Sequence, residues 1–202
     1  AGTGDPDLIT LMPNRMFRNG EGRVFQDVTT AGGFGHLQKG HGVAFADLDN
    51  DGDQDVHENL GGAVSGDRYP DVLFENPGFS ARWLKLRLEG RRANRSALGA
   101  RVRVEMETGG VVRSIHRTVS TGGSFGANPL RLEVGLGAAD RVREVEIRWP
   151  GSGFVQRVTG LLPDRAYRIR EGDTNATPMS LKRLRFPKLT GHEGRAQESV
   201  AR

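Results

Sequence analysis

The chain has 202 residues, of which 29 are glycine, 9 are proline and 36% are hydrophobic. This composition is typical of a β protein with many turns rather than of a helical bundle. No run approaches eighteen apolar residues, so no transmembrane segment is predicted, and the lack of cysteine excludes disulfides, thiolate metal sites and cysteine nucleophiles. The net charge is +4, but the basic residues are dispersed along alternating stretches, which argues against a nucleic-acid partner.

The first segment, residues 1–80, consists of short β-prone runs that end in glycine, asparagine or aspartate. Two of its strings, PNRMFRNGEG and PDVLFENPG, share a proline, bulky apolar residues, an asparagine and a glycine, and they lie 57 residues apart. A period of this length is typical of propeller blades or similar repeat arrays.

An acidic stretch, ADLDNDGDQDVHE, interrupts this segment. Its aspartates follow the spacing of an EF-hand calcium loop around Gly52, but the flanking strings GHGVAF and NLGGAVSGD cannot sustain helices. The stretch is therefore interpreted as a calcium loop in a β-hairpin, because a carboxylate-rich cage suits Ca²⁺ better than Mg²⁺. Four side chains and one backbone carbonyl, that of Asp53, are the predicted ligands; the ligand residues are Asp47, Asp49, Asp51, Asp53 and Asp55. Whether Glu58 or His57 joins the ion stays open.

The second segment, residues 81–172, shows strict alternation of apolar and polar residues in WLKLRLEG, ARVRVEM, LRLEVGLG and VREVEIRWP. Repeated alternation with glycine turns predicts an antiparallel β-sandwich in which each sheet has one wet face. Lys85 and Arg87 are assigned to such a wet face. Leu130 is assigned to a strand, and Trp83 and Trp149 to the core.

The third segment, residues 173–202, loses the alternation and carries basic residues around apolar ones in SLKRLRFPKL. Two interpretations remain for this basic tail: a disordered segment, or an extended arm that docks on a partner or an anionic surface.

Other candidates for chemistry are weak. GGSFG matches the G-x-S-x-G pattern with Ser124 as nucleophile, but a strand rather than a helix is expected to follow. No two of the five histidines have the H-x3-H spacing, so His36 and His41 are interpreted as polar turn residues. No catalytic residue is predicted.

The string GVAFADLDNDGDQDV, preceded by NRMFRNGEGRVFQDVTTAGG, resembles an FG-GAP/VCBS repeat, the calcium-loop blade of integrin-like propellers. The strings WLKLRLEGRRANRSALGARVRV, RLEVGLG, VEIRWPGSGFVQRV and LLPDRAYRI resemble the ASPIC/UnbV domain of cartilage acidic protein and its bacterial relatives. Together the two resemblances cover about 155 residues. They imply a secreted or periplasmic location and no particular reaction.

The resulting expectation is an all-β chain in which one FG-GAP/VCBS blade with a calcium loop precedes an ASPIC/UnbV-like sandwich and a basic tail. A propeller needs about four to eight blades, and one blade cannot bury both its faces. Either this chain is expected to be the C-terminal piece of a longer one, or the blade is expected to pack against the sandwich or against another protein. The predicted function is a non-catalytic, calcium-stabilised binding or scaffolding module, an accessory subunit of an extracytoplasmic protein assembly. Carbohydrate binding and peripheral membrane association are compatible with it. The alternative is a secreted carbohydrate-active or other hydrolytic enzyme with a structural calcium near its site.

Overall fold

The structure is a computed structural model, and it describes residues 14–20, 22–36, 38–62, 65–66, 68–123 and 127–186. The strands in these ranges form four sheets, which confirms the predicted all-β class. Across the described ranges no helix is long and apolar enough to cross a membrane. The strands of the N-terminal module are β1 (Phe17–Gly20), β2 (Val24–Asp27), β3 (Gly40–Ala46), β4 (Asp55–Leu60) and β5 (Val72–Phe74).

The N-terminal module contains a β1–β2 hairpin and a three-stranded antiparallel sheet in the order β3-β4-β5. Its interior is small: Val56 and Leu60 are buried, and the rings of Phe34 and Phe74 pack with centroids 4.7 Å apart. The described part of this module therefore has little apolar interior of its own, and its contacts with other parts of the chain matter for its stability.

The remaining strands form two four-stranded sheets, in the orders β11-β10-β7-β8 and β13-β12-β6-β9. The alternating strings place their apolar side chains between these sheets, as predicted. The strands are β6 (Arg82–Glu89), β7 (Arg101–Thr108), β8 (Val111–Thr118), β9 (Leu132–Gly137), β10 (Arg141–Arg148), β11 (Val155–Val158), β12 (Arg165–Arg170) and β13 (Thr177–Met179).

The core of the sandwich is continuous between the two sheets, and Trp149 is its largest fully buried side chain. The Trp149 indole donates to Gln156 Oε1 at 2.9 Å, so its polar end is satisfied inside the core. The expectation for Leu130 is wrong, since Leu130 is exposed and β9 begins only at Leu132. The expectation that Trp83 belongs to the core is wrong, since Trp83 is half-buried outside that core and packs against Gly52 of the acidic stretch.

Two features of the sandwich follow from local geometry. Gly109 and Gly110 have φ of 54° and 80° and close the β7–β8 hairpin with Thr108 opposite Val111, which is the geometry of a two-residue type I′ turn. Strand β12 runs parallel to β6, with Tyr167 opposite Leu86, in a sandwich whose other described pairs are antiparallel.

The last strand, β13, lies beyond residue 172 and pairs with β12. The first part of the segment expected to be a tail is thus a strand of the sandwich. Residues 180–186 leave this strand and return to the N-terminal module, as described below.

Candidate metal centre

The acidic stretch is the connection between β3 and β4, which pair with Ala46 opposite Asp55. Asn50 and Gly52 have positive φ values of 62° and 115°, so the chain turns sharply between them. Gly52 also packs directly against the Trp83 indole, where a Cβ atom would lie 2.1 Å from Nε1. The predicted hairpin setting is therefore present, and glycine is required at its tightest point.

Three of the predicted ligand residues meet inside this loop. Asp47, Asp49 and Asp55 are all buried, and one carboxylate oxygen from each lies within 4.8 Å of the others. Among the described residues this is the only group of three or more histidine, cysteine or acidic side chains with that spacing. Buried carboxylates this close repel one another, so a compensating cation would relieve a substantial electrostatic cost.

Backbone N–H groups aim these carboxylates inward. The N–H of Asp51 donates to Asp47 Oδ1 at 3.0 Å and to Asp49 Oδ1 at 2.9 Å, and the N–H of Gly52 donates to Asp47 Oδ2 at 2.8 Å. Asp55 accepts from the N–H of Leu48 at 3.0 Å. Asp47 Oδ1, Asp49 Oδ1 and Asp55 Oδ2 each accept one N–H bond and keep lone-pair capacity, because a carboxylate offers about four acceptor positions.

Asp51 and Asp53 lie at the edge of the group. Asp51 accepts the Asp53 N–H through Oδ1 at 3.2 Å, and its Oδ2 faces Arg183 Nη2 at 3.2 Å. Asp53 Oδ1 is shielded from solvent, yet no donor among the described residues reaches it. The Asp53 carboxylate also lies beside Gly78, where a Cβ atom would meet Oδ2 at 2.8 Å.

Burial and neighbouring negative charge raise the pKa values of two carboxylates in the loop. Burial, followed by repulsion from Asp51, Asp55, Asp47 and Asp49, raises the pKa of Asp53 to about 6. Burial also raises the pKa of Asp49; the Asp51 N–H opposes this shift, and the neighbouring carboxylates add to it. An orphaned buried oxygen and carboxylates that resist ionisation are what a hard oxygen-seeking cation would correct, so the residues fit a calcium or magnesium ion.

A protein cation already touches this group. Lys85, from β6, extends its ammonium to Asp47 Oδ2, and the side chains of both residues are 1% exposed. The same ammonium lies 4.8 Å from the centroid of the Trp83 ring. The expectation that Lys85 occupies a wet face is wrong, because the acidic loop covers that face of β6. The alternation of the strand gives no signal for a covering element.

Further bonds fix the loop to the sandwich. Glu133 Oε2 accepts the Asp47 N–H at 2.9 Å and Gln54 Nε2 at 3.2 Å. Arg131 pairs with Glu133 at 2.7 Å and donates to the Asp47 carbonyl at 3.4 Å. Residues of β6 and β9 thus bind the loop, and a cation in it would connect the N-terminal module to the sandwich.

Glu58 and His57 both lie outside the group of three buried carboxylates. Glu58 is buried but faces His36, with Oε2 3.1 Å from Nε2, and does not belong to the three-carboxylate group. His57 Nε2 lies 3.6 Å from Asp71 Oδ2 at a half-exposed position. His41 contacts the Gly61 carbonyl. Ser124 lies outside the described residues.

Gly52→Ala is expected to destabilise the protein by about 3 kcal/mol, since it adds a Cβ clash with Trp83 to the strain of a positive φ. Urea unfolding measures this. Gly66 also has a positive φ, 89°, but open space around it, so Gly66→Ala serves as the control and should cost about 1 kcal/mol. Equal losses in the two variants would contradict the close packing of the loop on Trp83.

Models of two known protein families match parts of this chain. A model of the FG-GAP-like repeat matches residues 1–57, and a model of the ASPIC and UnbV domain matches residues 90–176. The chain therefore carries an FG-GAP-like repeat followed by an ASPIC/UnbV domain, which confirms the resemblance seen in the sequence. No curated protein matches the chain.

Proposed function

We propose that this protein is a non-catalytic, calcium-stabilised binding or scaffolding module that works outside the cytoplasm as an accessory subunit of a protein assembly. The observation that carries the proposal is the buried group of Asp47, Asp49 and Asp55, with the orphaned Asp53 oxygen beside it. FG-GAP-like repeats generally bind calcium, and the loop offers only oxygen ligands, which suit Ca²⁺.

In this proposal the three buried carboxylates hold the ion, with Asp51 and Asp53 completing the set. Bound calcium supplies charge neutralisation and a cross-link, not a reaction. Because the Asp47 main chain is bonded to Glu133 and its carboxylate to Lys85, an ion that fixes the loop also fixes the N-terminal module on the sandwich. A structural ion of this kind in an extracellular module binds with Kd on the order of 10⁻⁴–10⁻³ M.

The binding role is supported by apolar side chains that the N-terminal module leaves exposed. Phe17 and Phe25 are 50% and 71% exposed and lie on one face of the β1–β2 hairpin, and Val24 of the same hairpin is also exposed. Leu73 of β5 is exposed as well. The pair Phe17 and Phe25 on one hairpin face is therefore the candidate surface for contact with another protein or another blade.

Asp49→Ala tests the calcium proposal. At calcium concentrations about tenfold above Kd, the wild-type chain should gain about 1.4 kcal/mol, which raises its melting temperature by about 3–6 °C relative to chelator. Asp49→Ala should lose this rise. Calorimetry with and without chelator measures it, and Asp27→Ala, an exposed aspartate of β2, should keep the rise. If calcium did not change the melting temperature of the wild-type chain, the proposal that calcium stabilises its fold would be wrong.

The enzymatic alternative has one observation in its favour. A cavity of about 670 Å³ adjoins the loop, and it is lined by Asp53, Glu133, Asp164, Trp83 and the strongly exposed Phe79. Carboxylates beside aromatic rings are typical of carbohydrate sites. The raised pKa of Asp53 comes in part from the other aspartates, so a bound calcium would cancel that part, which favours binding over catalysis. Release of reducing ends from a polysaccharide panel by the calcium-loaded chain would favour the enzyme instead.

A further inference from the structure

The segment after β13 returns to the acidic loop. Residues 182–186, here called the C-terminal strap, carry three basic residues and two apolar ones in the string KRLRF. The sequence left two interpretations for this region, disorder or an arm that docks on a partner. In the structure the strap lies against the chain's own calcium-loop candidate.

Two of the strap's contacts use its main chain. The N–H of Leu184 donates to the Asp49 carbonyl at 2.7 Å, and the Lys182 carbonyl accepts from Asn50 Nδ2 at 3.0 Å. The third contact is the ion pair of Arg183 with Asp51, in which the Arg183 side chain is 69% exposed. The acidic loop therefore holds the strap mainly through hydrogen bonds to its main chain, and the exposed ion pair of Arg183 contributes less.

The strap borders a groove with complementary charge. A cavity of about 510 Å³ lies between the strap and the end of β5, and Asp49, Asp51 and Glu75 line it together with Arg183 and Arg185. Extended peptides docked through main-chain bonds with side chains of opposite charge are a common recognition mode.

We propose that the acidic loop is the docking site of the strap, and that calcium and the strap bind the loop cooperatively. The docking stands on the contacts above, and the cooperativity rests on the proposed calcium function. Loss of calcium then weakens the docking of the strap on the loop by the same factor.

The sign of the coupling follows from which loop atoms the strap uses. It bonds the Asp49 carbonyl and the Asn50 side chain, and Asn50 has a positive φ of 62° that only the folded loop maintains. An ion that orders the loop lowers the conformational entropy that is lost when the strap docks. By the same linkage, a docked strap lowers the entropy that is lost when the ion binds. Calcium neutralises Asp51 and so weakens its pair with Arg183, but an exposed pair contributes little. The coupling is therefore positive, and we expect it to be about tenfold.

Leu184→Pro in the full chain tests the proposal, because it removes the N–H that bonds Asp49 while Leu184 lies outside any strand. Leu184→Ala keeps the N–H and is the matched control. Two quantities are measured by NMR: hydrogen exchange of the Leu184 amide in the wild-type chain, with calcium and with chelator, and the calcium Kd of each chain from the Gly52 amide shift.

The expected result is that calcium slows Leu184 exchange about tenfold and that Leu184→Pro weakens calcium binding about tenfold relative to Leu184→Ala. Equal calcium affinity in the two variants, or a Leu184 amide that exchanges like a free peptide in saturating calcium, would overturn the proposal. A protected Leu184 amide in a chain that binds no calcium would overturn the cooperativity and the calcium function together, while strap docking would stand.

Discussion

Lys85→Met is expected to destabilise the calcium-free chain by about 3–5 kcal/mol, because it leaves the Asp47 carboxylate buried without its cation. Both side chains of the pair are 1% exposed, so water cannot replace the ammonium. Methionine keeps most of the length of the lysine side chain, which separates the loss of charge from the loss of packing. Denaturant unfolding in chelator measures the change.

Calcium should offset part of this loss. Without Lys85 the loop carries one more uncompensated charge, so the stability that calcium adds should be larger in Lys85→Met than in the wild-type chain. Arg87 lies two residues further along β6 on the same side of the strand, but it is exposed. Arg87→Met should therefore change stability by less than about 0.5 kcal/mol. If Lys85→Met were as mild as Arg87→Met, the buried pair would not hold the two modules together.

The second large loss of stability is expected from substitution of Glu171. This residue follows β12 and binds the loop of residues 91–93. Its Oε2 accepts the N–H groups of Arg91, Arg92 and Ala93 at 2.9, 2.7 and 2.7 Å, and its Oε1 accepts the Ser152 hydroxyl at 3.0 Å. Glu171→Gln keeps the shape but removes the charge that strengthens these bonds. We expect a loss of about 2 kcal/mol at neutral pH.

The same carboxylate predicts a pH dependence of stability. Burial alone would raise the pKa of Glu171, but the three backbone N–H groups and Ser152 outweigh it and lower the pKa to about 2 from an ordinary 4.5. A depressed folded pKa means that the unfolded chain binds the proton first as the pH falls. The contribution of Glu171 is therefore present above about pH 5 and disappears between there and about pH 2.

Unfolding curves between pH 7 and pH 2 test this directly. The difference in stability between the wild-type chain and Glu171→Gln should shrink as the pH falls through that range. Glu75→Gln alters an exposed glutamate and is the control, with little effect at any pH. A stability difference for Glu171→Gln that stayed constant with pH would mean that the charge of Glu171 is not what holds residues 91–93.

Much of this architecture could be predicted from local sequence. Alternation in strings such as ARVRVEM fixes which side chains enter the sandwich core, and the glycine and β-forming flanks of the acidic stretch predict a hairpin rather than an EF-hand. Alternation reports the face on which a side chain lies but not what covers that face. For this reason Lys85 was assigned to solvent although the acidic loop buries it.

Two further features could not be predicted from the sequence. They are the parallel pairing of β12 with β6 and the packing of the C-terminal strap on the acidic loop. Both depend on long-range contacts, such as Tyr167 opposite Leu86 and Leu184 bonded to Asp49, that have no periodic signature in the chain. The positions of Asp51 and Asp53 at the edge of the carboxylate group likewise depend on Arg183 and Gly78, which are distant in sequence.

In the proposed function the acidic loop binds one calcium ion that ties the N-terminal module to the sandwich. The most direct measurement is an NMR titration of the full chain with calcium, followed through the amide resonances of Gly52 and Glu133. The expected result is a saturable shift of both resonances with one Kd on the order of 10⁻⁴–10⁻³ M, and loss of both shifts in Asp49→Ala. Resonances of Gly52 and Glu133 that do not move up to about 10 mM calcium, roughly tenfold above that range, would contradict it.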